Sequence, residues 1–499
     1  MNQLKKAALL SYINIGFTNI IGLVLTPFII RTLGTSDYGL YSLIGSLVAY
    51  LALMDLGLNS SVVRFISKYR AENNSQEEQQ FLGTTMLVYG LISVVLLVVG
   101  VILYFNLDLI FDKSLSVSQL EDAKIMFLIL LFNIVITLPG GTFSAICTAY
   151  QEFVFPRLLQ IIRYVFRTIA VFAVLTYGGK AISLVIIDTV FSLIFILITF
   201  YYCVFKLKVK FKLDRSYKTK MHEIFSYSIW IFITVIVFSF QWNAGQLILG
   251  MKLNTSVVAV FAIGLMLGSY LGAFAGVVNT LLLPKAAADL ANNNTPEAIT
   301  YTMIRVGRMN VFISFVIITG FLLVGKEFVI LWVGNSYIQA WNIALIIMLV
   351  TVIALSQSFG NSILEIKNKI KYRSIFTLCS MSIAVAFSFF FATDYGMYGV
   401  LIPIAVSMFI NTIFNNILFI RHFQFKIIDF YKKTFLYQTL FTSIFVIIGY
   451  FIKDMVTLNS WVSFSAIGSS FILVYVVFYY LLLFSKEEKS FFFLIKKNL

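Results

Sequence analysis

Residues 156–175 read PRLLQIIRYVFRTIAVFAVL. Twenty predominantly apolar residues make a helix of about 30 Å, the thickness of a bilayer hydrocarbon core. Arg157, Arg163 and Arg167 interrupt the run. Arg167 lies roughly 15 Å beyond Arg157, about half-way through that core. An arginine at such depth costs a few kcal/mol on insertion scales, so a chain that keeps it must gain something from it. Gln160, Arg163 and Arg167 fall at i, i+3 and i+7, along one helix face. The segment therefore reads as a membrane helix with a cationic stripe, and that reading sets the solvent for the rest of the chain.

The composition agrees. Of 499 residues, 60% are hydrophobic and 12% charged, against about 25% charged in an ordinary soluble domain. Fifty-one Phe and six Pro suit a helical bundle in lipid. Cys147, Cys203 and Cys379 stand isolated, without metal-ligand or disulfide spacing. The two histidines, His222 and His422, lie beside basic loops, so neither a zinc site nor a Ser-His-Asp constellation is expected, and no cofactor. The first apolar run is too long for a signal-peptide core and reads as the first span.

Apolar runs of spanning length begin near 7–30, 38–62, 81–105, 123–149, 157–177 and 180–205. They continue near 222–249, 255–283, 304–325, 338–364, 373–393, 396–420, 433–452 and 459–484. The expectation is an all-α polytopic membrane protein of about fourteen transmembrane helices. Lysine and arginine crowd alternate loops: Lys5 and Lys6; Arg64, Lys68 and Arg70; KLKVKFKLDRSYKTK from Lys206 to Lys220; Arg305 and Arg308; KNKIKYR from Lys367; and Lys486, Lys489, Lys496 and Lys497. The opposite loops carry few, among them Lys113 and Lys326. By the positive-inside rule both termini are cytoplasmic. The net charge of +15 then orients the chain and meets anionic membrane lipids; nucleic acid is not an expected partner.

Asn73-Asn74-Ser75 and Asn293-Asn294-Thr295 match 220 residues apart, the distance from span 1 to span 7. Parallel duplication of a six-helix unit is a transporter plan with the substrate site between the halves. This gives two pseudo-symmetric six-helix lobes around a central cavity, 1–205 and 222–420. A basic cytoplasmic linker, 206–221, joins them, and spans 13–14 with a cytoplasmic tail, 421–499, are appended.

The stretch TPFIIRTLGTSDYGLYSLIGSLVAYLALMDLGLNSSVVRFISKYR, Thr26–Arg70, carries Pro27, Leu33-Gly34, Tyr38-Gly39, Asp55-Leu56-Gly57-Leu58 and Arg64. In these features the chain resembles the polysaccharide-biosynthesis, or Wzx-type, oligosaccharide-lipid flippases of the multidrug/oligosaccharidyl-lipid/polysaccharide exporter superfamily. The resemblance implies a transporter in the bacterial inner membrane. It would move undecaprenyl-diphosphate-linked oligosaccharide from the cytoplasmic to the outer leaflet by alternating access, for O-antigen, capsule or exopolysaccharide. A coupling ion (H+ or Na+) and the polysaccharide polymerase machinery would be its further partners.

The polar residues inside the spans are weighed against that expectation. A guanidinium binds phosphate oxygens through two parallel hydrogen bonds, so Arg163 and Arg167, with Gln160, are candidates for holding the substrate diphosphate. The competing reading is that they snorkel or pair. Arg167 and Asp188 lie about equally far from the turn at Gly178-Gly179, each roughly 15 Å below it, and are candidates for an ion pair. Asp55, late in span 2, is a candidate for coupling or for pairing with Arg64, against the plainer reading of a carboxylate that reaches local backbone or cytoplasmic lysines. Trp242, Asn243 and Gln246 are candidate sugar contacts, although interhelical hydrogen bonding is the commoner use of such amides. GFLLVGKE, Gly320–Glu327, mimics a phosphate loop but lacks its Ser/Thr and follows no strand. The alternative function is an ion-coupled exporter of small molecules or drugs. A membrane glycosyltransferase or polymerase fits less well with the short outer loops.

Overall fold

The computed structural model describes residues 3–112, 114–214, 217–292, 295–367, 369–456, 458–485 and 488–489. Lys113, Asn293, Asn294, Lys486, Lys496 and Lys497, used above for orientation and repeat, lie outside the described residues, as do the side chains of Lys5, Lys6 and His222. The described residues form helices and no strand.

The first eight helices are α1 (Gln3–Leu51), α2 (Leu58–Ala71), α3 (Ser75–Phe111), α4 (Val117–Ala149), α5 (Val154–Thr176), α6 (Ala181–Tyr201), α7 (Tyr217–Trp242) and α8 (Ala244–Lys252). The next eight are α9 (Thr255–Asn292), α10 (Pro296–Val333), α11 (Gln339–Ser356), α12 (Ser358–Ile366), α13 (Ile370–Phe423), α14 (Ile427–Tyr431), α15 (Tyr437–Lys453) and α16 (Trp461–Leu482). Among the described residues, eleven helices are long and apolar enough to cross a membrane, and twelve if the bent pair α7–α8 counts as one. Two of them hold two apolar runs each. α1 has 49 residues and α13 has 54, about 74 and 81 Å of helix, more than twice a hydrocarbon core. Each is broken by a glycine outside helical space: Gly34 (φ 82, ψ 167) and Gly396 (φ 57, ψ −135). Fourteen spans is therefore approximate: the described residues give eleven or twelve spanning helices, because two pairs of apolar runs share α1 and α13.

The loops supply the helix starts. Asn74 accepts from the Glu77 amide to cap α3, and Ser116 forms a reciprocal capping box with Gln119 at α4. Thr295 caps α10 with Pro296 behind it at the first turn. GFLLVGKE lies inside continuous α10, where Glu327 pairs with Lys453 at 2.8 Å.

Packing divides the chain into two units, 1–262 with 377–404, and 263–376 with 405–499. In the first, α4 packs on α2, α3 and α6, and α1 on α5. In the second, α10 is the hub, flanked by α11, α15 and α16. Large apolar side chains are both buried (Leu43, Ile44, Phe81, Phe127) and exposed (Phe105, Leu109, Phe390, Leu473), the pattern of a protein whose outer surface is also oil. Lipid gives little reward for burying apolar side chains between helices, so close backbone approach and polar contacts must hold them. Gly39 is one such place: a Cβ there would lie 1.8 Å from the Thr255 carbonyl oxygen. Beside it Gln119 of α4 donates to Ser36 at 2.6 Å and Thr255 at 3.3 Å, joining three helices.

The cysteine reading needs correction. Cys147 and Cys203 are free and buried, but their sulfurs lie 3.7 Å apart, and Cys203 Sγ donates to the Phe143 carbonyl at 3.3 Å. Their 56-residue separation conceals that α4 and α6 run side by side.

Candidate functional site

α5 has two opposite faces. Leu158, Ile162, Phe166, Ile169 and Phe172 are exposed, at helical spacing. Gln160, Arg163 and Arg167 point the other way, half-buried against neighbouring helices. The stripe therefore faces protein, which removes snorkelling toward lipid as its explanation.

Each member of the stripe has a partner. Asn14 Nδ2 of α1 donates to Gln160 Oε1 at 3.1 Å. Arg163 Nη2 donates to Ser192 Oγ of α6 at 2.8 Å, and the Ser192 hydroxyl donates in turn to the Asp188 carbonyl at 2.7 Å. Arg167 grips the Asp188 carboxylate through both Nε and Nη2, the latter at 3.0 Å. Tyr41 of α1 donates its hydroxyl to the same carboxylate at 3.1 Å. The pair keeps about a fifth of its side-chain surface exposed (21% and 22%). A two-pronged guanidinium–carboxylate contact with a third donor offsets much of the desolvation cost of the two charges.

Toward the start of α5 the stripe opens into a cavity of about 330 Å³, at the lower end of the range of ligand pockets. Arg157, Gln160 and Arg163 line one side, Ser144 and Thr148 of α4 another, and Phe195 of α6 closes it. The Arg163 guanidinium lies 5.5 Å from the Phe195 ring centre. Arg167 is not among the lining residues. Its charge is answered by Asp188, while Arg157 and Arg163 face the cavity with hydroxyls and an amide around them. Such a site can receive an anion with several oxygen acceptors. Arg157, three residues before Gln160, joins the candidate site as a cavity-lining residue. Sequence reasoning missed Asn14, Tyr41 and Ser192 because they come from other helices.

Asp55 sits where α1 ends. Leu56 (φ 53) and Gly57 (φ 71) both take left-handed conformations and separate α1 from α2. Tyr89 donates to Asp55 Oδ1 at 2.7 Å and Asn59 at 3.1 Å. Tyr89 and Asn59 thus both donate to this carboxylate, and Arg64 lies on the exposed side of α2, 5.8 Å from the Phe65 ring centre. Trp242, Asn243 and Gln246 surround the 46° bend between α7 and α8. There the Asn243 amide reaches back to Ser239 Oγ at 3.4 Å. None of the three lines the α5 cavity. Among the described residues no group of three His, Cys, Asp or Glu could hold a metal.

These features define a multi-pass integral membrane protein with charge held inside its first helical unit. The chain matches the family described as polysaccharide biosynthesis protein over residues 4–288, more than half its length, and belongs to it. It is 22% identical over 428 residues, 83% of this chain and 81% of the other, to the uncharacterized membrane protein EpsK of Bacillus subtilis (strain 168). Its fold is similar to that of the lipid II flippase MurJ in an inward closed conformation, with a TM-score of 0.72 at 17% identity, covering 96% of this chain and 100% of MurJ. It is also similar to an inward-facing multidrug resistance MATE family transporter of the MOP superfamily. There the TM-score is 0.63 at 13% identity, covering 81% of this chain and 94% of the other.

Proposed function

We propose that this protein is a flippase, moving undecaprenyl-diphosphate-linked oligosaccharide from the cytoplasmic to the outer leaflet for surface polysaccharide. The observation that carries the reading is the α5 cavity, with two arginines, an amide and two hydroxyls converging at the edge of a membrane helix. A diphosphate on a lipid is an anion that must enter a membrane protein sideways, and oriented guanidinium groups replace the water it leaves. Family membership and a fold shared with the lipid II flippase support it. Arg157 and Arg163 make the phosphate contact, with Gln160 beside them. Arg167 and Asp188 act as a pair that opens or holds as the lobes, 1–205 and 222–420, alternate access. Asp55 and Asp188 are the carboxylates that a coupling H+ or Na+ would meet, and Trp242, Asn243 and Gln246 would contact sugar. A cationic cavity disfavours the alternative of small-cation export.

The test separates charge from geometry at Arg163. Arg163→Ala should lower translocation roughly 10- to 100-fold, the loss of one charge-assisted contact of about 1.5–3 kcal/mol. Arg163→Lys should keep an intermediate rate because it retains the charge but not the fork. Membrane abundance is measured alongside, and wild-type translocation by the alanine variant at normal abundance would reject the phosphate role.

A further inference from the structure

The second unit contains two pockets, a turn of α10 apart, that the flippase reading does not use. Along α10 and α16, Phe312, Ile313, Ile317, Val477 and Leu481 wall an apolar pocket of about 470 Å³. One helical turn back along α10 the lining changes. Arg305 and Arg308 meet Lys433, Ser485 and Glu488 around a second pocket of about 420 Å³.

The charges there are not equivalent. Arg308 donates through Nε and Nη2 to Glu488 at 2.6 and 3.1 Å, and to the carbonyls of Lys433 and Leu483 at 3.0 and 2.8 Å. Burial alone would raise the Glu488 carboxyl, but Arg308 and the Ser485 amide hold it below the usual carboxylate range. Arg308 and Glu488 therefore cancel, and they pin the segment after α16 to α10. Arg305 and Lys433 have no carboxylate among the described residues. Among the described residues, the pocket keeps two cations that no carboxylate answers, next to the apolar pocket.

We infer that these two neighbouring pockets together bind one anionic glycerophospholipid, its headgroup phosphate between Arg305 and Lys433 and an acyl chain along α10 and α16. Lining polarity changes from one pocket to the next along α10 as it does along such a lipid, and basic pockets between membrane helices suit anionic headgroups. A zwitterionic lipid offers the same phosphate but brings its own cation to a site that already has two. Free phosphate would leave the apolar part unfilled. The occupant ties α10, the π-turn Lys432–Leu436 and the segment after α16 together.

Native mass spectrometry of the full-length protein in detergent tests this with phosphatidylglycerol, phosphatidylcholine and inorganic phosphate as probes. Wild-type protein should retain phosphatidylglycerol at least roughly tenfold more than phosphatidylcholine, and Arg305→Gln/Lys433→Gln should erase that preference, as expected for two charges near a lipid surface. Arg305→Lys/Lys433→Arg should keep it. Val477→Trp, which leaves every charge in place, should lose phosphatidylglycerol by filling the apolar pocket. Should the glutamine variant fail to fold, Val477→Trp decides alone. Equal retention of the two lipids, unchanged retention in the glutamine or tryptophan variant, or inorganic phosphate displacing the lipid would overturn the proposal.

Discussion

At the scale of single residues, Arg167 differs from Arg163 through Asp188. Removing either partner of a partly buried pair strands the other charge at a cost of about 3–5 kcal/mol, while removing both deletes two costly ions together. We therefore expect Arg167→Ala and Asp188→Ala each to reduce membrane abundance, and the double variant to recover it relative to the worse single one. If Arg167 serves translocation through this pair, abundance should return without transport. A double-mutant cycle scored separately for the two readouts checks this, and no coupling in abundance would refute the stabilising pair. The stripe Gln160–Arg163–Arg167 is legible in the sequence because helical periodicity puts i, i+3 and i+7 on one face. Asp188 is legible by depth, since it and Arg167 are equally far from the Gly178 turn. Nothing local identifies Asn14 or Tyr41, which reach α5 and α6 from a helix more than a hundred residues away.

Among the helices, the residues carrying the family resemblance do structural work. Gly34 takes φ 82 where α1 breaks, Leu56-Gly57 separates α1 from α2, and Gly39 admits the Thr255 backbone. That signature reports how the first hairpin is built, which is why it identifies a fold more readily than a substrate. Gly39→Ala should collapse membrane abundance, because its Cβ would sit 1.8 Å from a backbone oxygen that cannot move independently. Gly45→Ala, on the same helix with nothing within 4 Å of the added atom, should remain near wild type; immunoblotting of membranes reads both, and equal abundance would refute the close-packing account. Capping offers a simpler account of the Asn-rich similarity between the loops before α3 and α10. Asn74 and Thr295 each begin a long helix, and such starts favour Asn, Ser and Thr whatever their ancestry.

For the whole molecule, hydropathy foretells an all-helical membrane bundle because lipid demands about twenty apolar residues per crossing. It foretells continuity less well: four of the runs lie in pairs on α1 and α13, joined through glycines that periodicity alone does not flag. If this chain carries a lipid-linked oligosaccharide across the bilayer, its loss changes the leaflet in which that lipid resides. Cells depleted of the protein should accumulate undecaprenyl-diphosphate-linked oligosaccharide in the cytoplasmic leaflet, shielded from a membrane-impermeant glycosidase or label added outside, and re-expression should restore access. Accumulation in the outer leaflet on depletion would contradict the account and place the protein after translocation.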